Sequence, residues 1–242
     1  MEDPLINFDW LNLYQAYDDK CRGFNIRAPQ LQIFGSKELN RPNSDRELYY
    51  KLLDLFSVEQ RNSQAEPIRM YEALLYWKLY SQNAAIFNLE NKWLPMGSEE
   101  REDAQERLVE LLKTLPPKLE KSPSQIIELI RSFNKFKLPG MASADAIPVR
   151  TTFLHFIYPN AVPIFDQMVL RAIGLWEQGA NHRYPVLEKY LPIAWDLADK
   201  YATEISSFKN ESPVPVIESP IRIIDMALWV NRGRVKLTNP IL

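Results

Sequence analysis

The chain has 242 residues, of which 46% are hydrophobic and 25% charged, so it can bury a substantial hydrophobic core. Its net charge of −2 excludes a globally basic nucleic-acid binder but leaves room for a local basic face. The single cysteine, Cys21, excludes disulfide frameworks, multi-cysteine zinc sites and iron–sulfur clusters.

Apolar residues recur at helical spacing along nearly the whole chain, which predicts an all-α fold of about ten helices. The first helix is predicted from Leu5 to Tyr17, and Asp45 is predicted to cap the second. The residues between them contain two prolines, two glycines and a short apolar piece, residues 31–34, which indicates a loop with a small strand. A long helix is predicted from Pro67 to about Asn88.

Further signals mark helix ends in the second half of the chain. Ser122 and Ser219 each precede a proline, as N-caps do, and Asp166 is predicted to cap a short helix that ends at Gly174. One helix is predicted over residues 184–205, with Pro192 inside it. Because no apolar run is long enough to span a bilayer and the N-terminus lacks a signal-peptide pattern, we expect no membrane association and a cytoplasmic location.

A proline-glycine turn lies between two of the predicted helices, at Leu138-Pro139-Gly140-Met141-Ala142. A turn of this kind exposes backbone N–H groups beside a helix N-terminus, where a phosphate can bind without sequence readout. Residues 117–158 carry six basic and three acidic side chains, a net +3 that leaves −5 for the rest of the chain. This polarity indicates a phosphate-facing patch on an acidic body. The alternative is a turn that only joins two packed helices.

The turn, followed by Val162-Pro163-Ile164-Phe165-Asp166, resembles the helix-hairpin-helix (HhH-GPD) superfamily of DNA glycosylases, in a divergent branch. The resemblance covers residues 119–174, with a further similarity in the closing segment, residues 222–229. It implies a two-lobed helical fold over one domain, residues 1–242. In that fold residues 117–175 form the hairpin segment and residues 176–242 form helices that pack back on the N-terminal ones.

The same resemblance implies double-stranded DNA as the partner and Asp166 as the catalytic carboxylate of base excision. The DNA-binding residues that it implies are Leu138, Gly140, Met141, Ala142, Ser143, Lys135 and Lys137. Ala142 replaces the second glycine of the family's hairpin. Residues 142–145 contain no lysine, the nucleophile of glycosylases that also cut the strand, so the resemblance implies a monofunctional enzyme.

Two alternatives stay open at this stage. Asp166 is also explained as a helix cap without catalysis, and the whole chain as a helical interaction or scaffold protein that keeps only the fold. His155 lies among apolar neighbours, which favours a hydrogen-bonded core histidine over a catalytic base. With two histidines and one cysteine, we expect no metal site, and no cofactor is expected.

Overall fold

The computed structural model describes residues 3–21, 44–63, 66–80, 98–143 and 146–232. All regular structure in these ranges is helical, with ten α-helices and no strand, so the expected all-α fold is confirmed. The α-helices are α1 (Leu13–Lys20), α2 (Asp45–Leu55), α3 (Pro67–Leu79), α4 (Ser98–Thr114), α5 (Pro123–Ser132), α6 (Ile147–Ile157), α7 (Gln167–Ala172), α8 (Tyr184–Lys200), α9 (Ala202–Glu211) and α10 (Pro220–Asn231). The strand predicted at residues 31–34 and the continuation of α3 toward Asn88 lie outside the described residues.

The predicted caps of the second half are present. Ser122 and Ser219 are extended residues whose hydroxyls accept from the amides three residues on, at 3.5 and 3.1 Å. α7 ends before Gly174, whose φ of +72° is a left-handed conformation that glycine adopts without strain. The amide of Leu175 closes this end on the carbonyl of Leu170 at 2.9 Å.

Two predictions about the first half are wrong. α1 begins only at Leu13, because the chain before it forms turns and passes through a left-handed Asn7 with φ of +58°. Ser44, not Asp45, caps α2, and its hydroxyl accepts from the Glu47 amide at 3.1 Å. Asp45 is instead the first helical residue, and its buried carboxylate accepts from the Tyr17 hydroxyl at 2.8 Å.

The predicted helix over residues 184–205 is interrupted. α8 continues through Pro192 but ends at Lys200, and α9 begins after Tyr201, whose backbone leaves the helical region with φ of −99° and ψ of 21°. The Tyr201 hydroxyl donates to the Asp3 carboxylate at 2.6 Å, which ties this break to the N-terminal segment.

α10 lies at the centre of the packing. It contacts α1, α7, α8 and α9, and the buried residues of the described ranges form one contiguous cluster. The ring of Trp229 on α10 lies 5.4 Å from that of Tyr17 on α1, and the Asn231 side chain donates to the Pro4 carbonyl. The C-terminal helix therefore packs against the N-terminal one.

A buried arginine holds the proline-glycine turn against the fold. Arg150, on α6, is fully buried and donates from Nη2 to the carbonyls of Met141 and Ser143 at 2.6 and 2.7 Å. Nη2 also donates to the Asn134 side chain, and Nη1 donates to the Ile130 carbonyl at the end of α5. Because these carbonyls point inward, one guanidinium fixes the path of the chain from α5 through the turn to α6.

Replacing Arg150 should be strongly destabilising, because Arg150→Met removes a fully buried guanidinium that donates to the carbonyls of Ile130, Met141 and Ser143. We expect a loss of about 3 kcal/mol in the free energy of unfolding. Urea denaturation followed by circular dichroism measures it. Arg131→Met, at an exposed position on α5, is the matched control and should cost less than about 1 kcal/mol. Equal losses in the two variants would contradict this role of Arg150.

Candidate functional site

Asp166 is both a helix cap and an accessible carboxylate. Its backbone is extended, and Oδ1 accepts from the amides of Met168 and Val169 at 2.8 and 3.2 Å, which confirms the predicted capping of α7. The side chain is still 22% exposed. Capping therefore engages one carboxylate oxygen and leaves the other facing a neighbouring helix.

That second oxygen forms an ion pair with Lys78 on α3. The Nζ of Lys78 lies 3.2 Å from Asp166 Oδ2, and the lysine side chain is only 5% exposed. Burial alone would raise the pKa of Asp166, but the Lys78 ammonium and the two cap amides hold that pKa below its usual value. Asp166 is therefore ionised at neutral pH.

Sequence reasoning missed Lys78, which comes from a helix 88 residues away from Asp166 along the chain. Its pairing with Asp166 is a tertiary contact with no local pattern. A signal was nevertheless present, because Lys78 interrupts the otherwise apolar run of Tyr76, Trp77 and Leu79 on a helix whose residues are nearly all buried. A lysine inside such a run must find a counter-ion.

Two clefts meet at this ion pair, and Lys78, Asp166 and Gln167 line both. The first, here called the α10 cleft, has a volume of about 270 Å³ and is walled by Tyr17, Trp77 and Trp229. The second, the α6 cleft, has a volume of about 410 Å³. Its lining includes Trp176, His182 and the first turn of α6. The Asp166 carboxylate therefore lies where two aromatic-lined clefts join.

A second carboxyl lines the α10 cleft beside Asp166. Asp225, on α10, forms an ion pair with Arg222 one turn earlier, and both side chains are at most 5% exposed. Burial raises the pKa of Asp225 to about 6 against the opposing charge of Arg222, and the nearby Asp166 carboxylate adds to the rise. The two carboxyls thus titrate in different pH ranges although they share one cleft.

Arg222 links this pair to the N-terminal helices. Its Nη2 donates to the Tyr17 hydroxyl at 2.7 Å, and Tyr17 in turn donates to Asp45. The guanidinium also lies over the rings of Tyr49 and Trp77, 4.8 and 5.1 Å from their centroids. Burial raises the pKa of Asp45, so this carboxyl too holds its proton more tightly than an exposed aspartate.

The structure divides the predicted DNA-binding residues into two groups. Leu138 and Met141 are buried, 0% and 1% exposed with their backbones included, so the structure leaves neither residue open to a ligand. Gly140 has φ of +73° in a turn that the Met141 amide closes on the Leu138 carbonyl at 3.0 Å. The exposed residues of the set are Lys135, Lys137, Ala142 and Ser143.

Fewer basic side chains are available to a phosphate than the six counted in residues 117–158. Arg150 is buried under the turn, Lys118 pairs with Glu120 at 2.8 Å, and Lys121 lies 3.8 Å from Asp199. The basic side chains left for a phosphate are Lys135 and Lys137, just before the turn, and Arg131 on α5, and all three are exposed.

α3 connects the turn to the clefts. The hydroxyl of Tyr71 donates to the Pro139 carbonyl in the turn at 2.5 Å, and Lys78 follows seven residues later on the same helix. Seven residues are two helical turns, or about 10 Å. After the turn, Ala146, Pro148 and Val149 line the α6 cleft. α3 and the start of α6 therefore connect the turn to the clefts that Asp166 lines.

The remaining candidates of the sequence have structural roles. His155 is buried, with Nε2 2.8 Å from the Tyr49 hydroxyl and Nδ1 2.7 Å from the Val162 carbonyl, as expected for a core histidine. Burial lowers the pKa of His155 to about 3, so this ring is neutral at physiological pH. The part of the chain described contains no cluster of side chains suited to a metal ion. No helix in these ranges has the length and apolar character to cross a bilayer.

Comparison with protein-family models, with curated proteins and with solved structures finds no match for this chain. The site is therefore interpreted from its own geometry.

The Lys78–Asp166 ion pair should stabilise the fold in a pH-dependent way. Lys78→Met leaves a largely buried carboxylate without its counter-ion, so we expect a loss of about 3 kcal/mol in unfolding free energy at neutral pH. Because the pKa of Asp166 is lowered in the folded protein, its contribution is present above the unfolded-state pKa and is lost as pH falls through the folded-state value. The difference between wild type and variant should therefore shrink on acidification.

Denaturant unfolding from neutral to acidic pH measures this difference, and a carboxyl NMR titration should show a higher Asp166 pKa in the variant. Lys118→Met is the control, because its ion pair with Glu120 is exposed to solvent and should contribute little to stability. A destabilisation by Lys78→Met that is independent of pH would mean that the ion pair is not its source.

Proposed function

We propose that the protein is a DNA base-excision enzyme that hydrolyses an N-glycosidic bond, with Asp166 as its catalytic carboxylate. One observation carries this proposal. An ionised, partly exposed carboxylate lies where two aromatic-lined clefts meet, on a part of the molecule that also presents a proline-glycine turn and exposed lysines. The resemblance to the helix-hairpin-helix glycosylases suggests the same two parts.

Breaking the bond between a base and its sugar develops positive charge on the sugar ring. A fixed carboxylate beside that ring stabilises the oxocarbenium-like state and orients the attacking water. The two cap amides hold Asp166 in place and the Lys78 ammonium keeps it ionised, so it needs no reorganisation as charge develops. The target nucleotide must first leave the base stack, and aromatic walls suit an extruded base.

Asp225 completes the chemistry as a proton donor to the departing base. A departing base is a poor leaving group unless it takes up a proton, and a carboxyl with a raised pKa supplies one. Three charged groups act on Asp225: Arg222 on its own helix, Asp166 at the start of α7 and Lys78 on α3. The ammonium of Lys78 is paired with Asp166, which favours attack by water over attack by an amine.

DNA contact is assigned to the turn. Lys135 and Lys137 are exposed beside Gly140, and their charges suit two neighbouring phosphates without sequence readout. We therefore propose double-stranded DNA as the partner.

A second candidate function is a helical scaffold that keeps this fold without catalysis. The observation that favours it is that both oxygens of Asp166 already have partners within the protein, the cap amides and Lys78. Ala142 at the family's second glycine and the net charge of −2 point the same way.

Base release and DNA binding distinguish the two functions. We expect Asp166→Asn to lower base release by at least about a hundredfold while binding to an abasic-site duplex persists. Asparagine caps helices as well as aspartate does, so α7 is retained. The substrates are duplexes with uracil, hypoxanthine, an oxidised guanine or a methylated purine. Wild-type binding should weaken with salt and should prefer the abasic duplex over an intact one.

Base release by wild type that survives unchanged in Asp166→Asn would remove Asp166 from the mechanism. Absence of both binding and release at low salt would favour the scaffold.

The pH dependence tests the second carboxyl. Asp225 donates only when protonated, so base release should fall as pH rises through about 6, while Asp166 stays ionised over the same range. Single-turnover rates across this range measure the profile, and Asp225→Asn should remove the decrease in rate that wild type shows as pH rises. His182→Gln is the control, because this histidine lines the adjoining α6 cleft. Loss of the fall in His182→Gln would assign the proton to the histidine.

A further inference from the structure

Two cations stand at the edge of the α10 cleft, above the carboxyls that line it. Lys20, the last residue of α1, and Arg232, just after α10, both line this cleft. Neither has a carboxylate within 4 Å among the described residues, whereas Lys78 and Arg222 in the same cleft are each paired. Lys78 and Arg222 are buried, whereas Lys20 is exposed and Arg232 is half-buried. Lys20 and Arg232 therefore lie at the edge of the cleft.

Lys20 and Arg232 are held near each other in spite of their like charge. Lys20 Nζ donates to the Val230 carbonyl at 2.7 Å, and Arg232 lies 4.0 Å over the ring of Trp229. Burial lowers the pKa of Lys20, and the charge of Arg232 lowers it further. Two neighbouring cations without an anion form a site where an anion is favoured.

A buried donor without a partner points to a ligand deeper in the same cleft. Arg222 is 3% exposed, and its Nε has no hydrogen-bond partner although its other nitrogens bond to Asp225 and Tyr17. A buried N–H without an acceptor is costly. Arg222 lines the cleft, and a base or sugar that enters it offers oxygen or nitrogen acceptors.

We propose that the α10 cleft binds one phosphorylated nucleotide, with its phosphate on Lys20 and Arg232 and its base or sugar against the aromatic lining of the cleft. This assignment names the ligand of the site that the proposed function uses, and it rests on that function only for the identity of the polymer. The phosphate contact lies on the cleft itself and is separate from the lysines of the turn. The cleft therefore recognises a nucleotide rather than a bare base.

Binding of free nucleotides tests this without DNA. The probes are the monophosphates of the common deoxynucleosides, the bare nucleosides and inorganic phosphate, each titrated into the full chain by calorimetry and NMR. At least one monophosphate should bind wild type about tenfold more tightly than its nucleoside. Lys20→Gln combined with Arg232→Gln should abolish that difference while the nucleoside affinity stays unchanged.

The choice of glutamine separates anion binding from helix capping. Its amide can still donate to the carbonyls at the end of α10, so a purely capping role predicts no change in the preference for the monophosphate. The matched control is Lys135→Gln with Lys137→Asn, which removes two charges beside the turn and should leave the preference intact. Asparagine is chosen because Lys137 has φ of +48°, a left-handed conformation that asparagine tolerates.

Three results would overturn the proposal: equal affinity for nucleoside and monophosphate, no saturable binding of any monophosphate at millimolar concentration, or an equal loss in the control variant. If the protein binds a monophosphate more tightly than its nucleoside but releases no base from DNA, the proposed function is rejected and the nucleotide site is kept. If it releases a base but shows no preference for the monophosphate, the nucleotide site is rejected and the proposed function is kept.

Discussion

Arg222 cannot lose its charge, and the burial of that charge organises the centre of the protein. A guanidinium so far from water must be surrounded by acceptors and ring faces. Asp225 supplies the carboxylate, Tyr17 the hydroxyl, and Tyr49 and Trp77 the rings. These partners come from α10, α1, α2 and α3, so one side chain fixes the relative positions of four helices.

The same constraint shapes the chemistry of the α10 cleft. Burial raises the pKa of Asp225 although Arg222 is its direct partner, whereas Asp166, with an ammonium and two amides against it, is held ionised. Two carboxyls in one cleft thereby titrate in different pH ranges, which is the arrangement that acid–base hydrolysis needs. The difference between the two pKa values depends on the partners of each carboxyl, because both residues are aspartates.

Positive charge is used in three distinct ways along the chain. Arg150 is buried and pulls carbonyls of the proline-glycine turn inward, Lys78 neutralises a carboxylate, and Lys20 and Arg232 have no carboxylate partner among the described residues. Lys20 and Arg232, together with the exposed lysines of the turn, are available to a polyanion. A nearly neutral chain can in this way present local basic surfaces, although many of its cations bind other groups of the protein itself.

The sequence by itself determined the helical class and most of the helix ends in the second half of the chain. Ser122, Asp166, Ser219 and Gly174 act within four residues of the bonds that they make, so a local pattern is enough to predict them. The core role of His155 was also evident from its apolar neighbours. At the start of α2, Ser44 is the cap and Asp45 instead binds Tyr17 of α1, a contact that no short sequence pattern contains.

Only the tertiary structure decided the composition of the site. The pairing of Lys78 with Asp166, the approach of Asp225 to the same cleft and the inward direction of Arg150 all join residues from different helices. Net charge counted along residues 117–158 overstated the basic patch for the same reason. Local pattern predicts which segments are helical because helix hydrogen bonds are short-range, whereas the charge and proton state of each side chain depend on partners that only packing brings near.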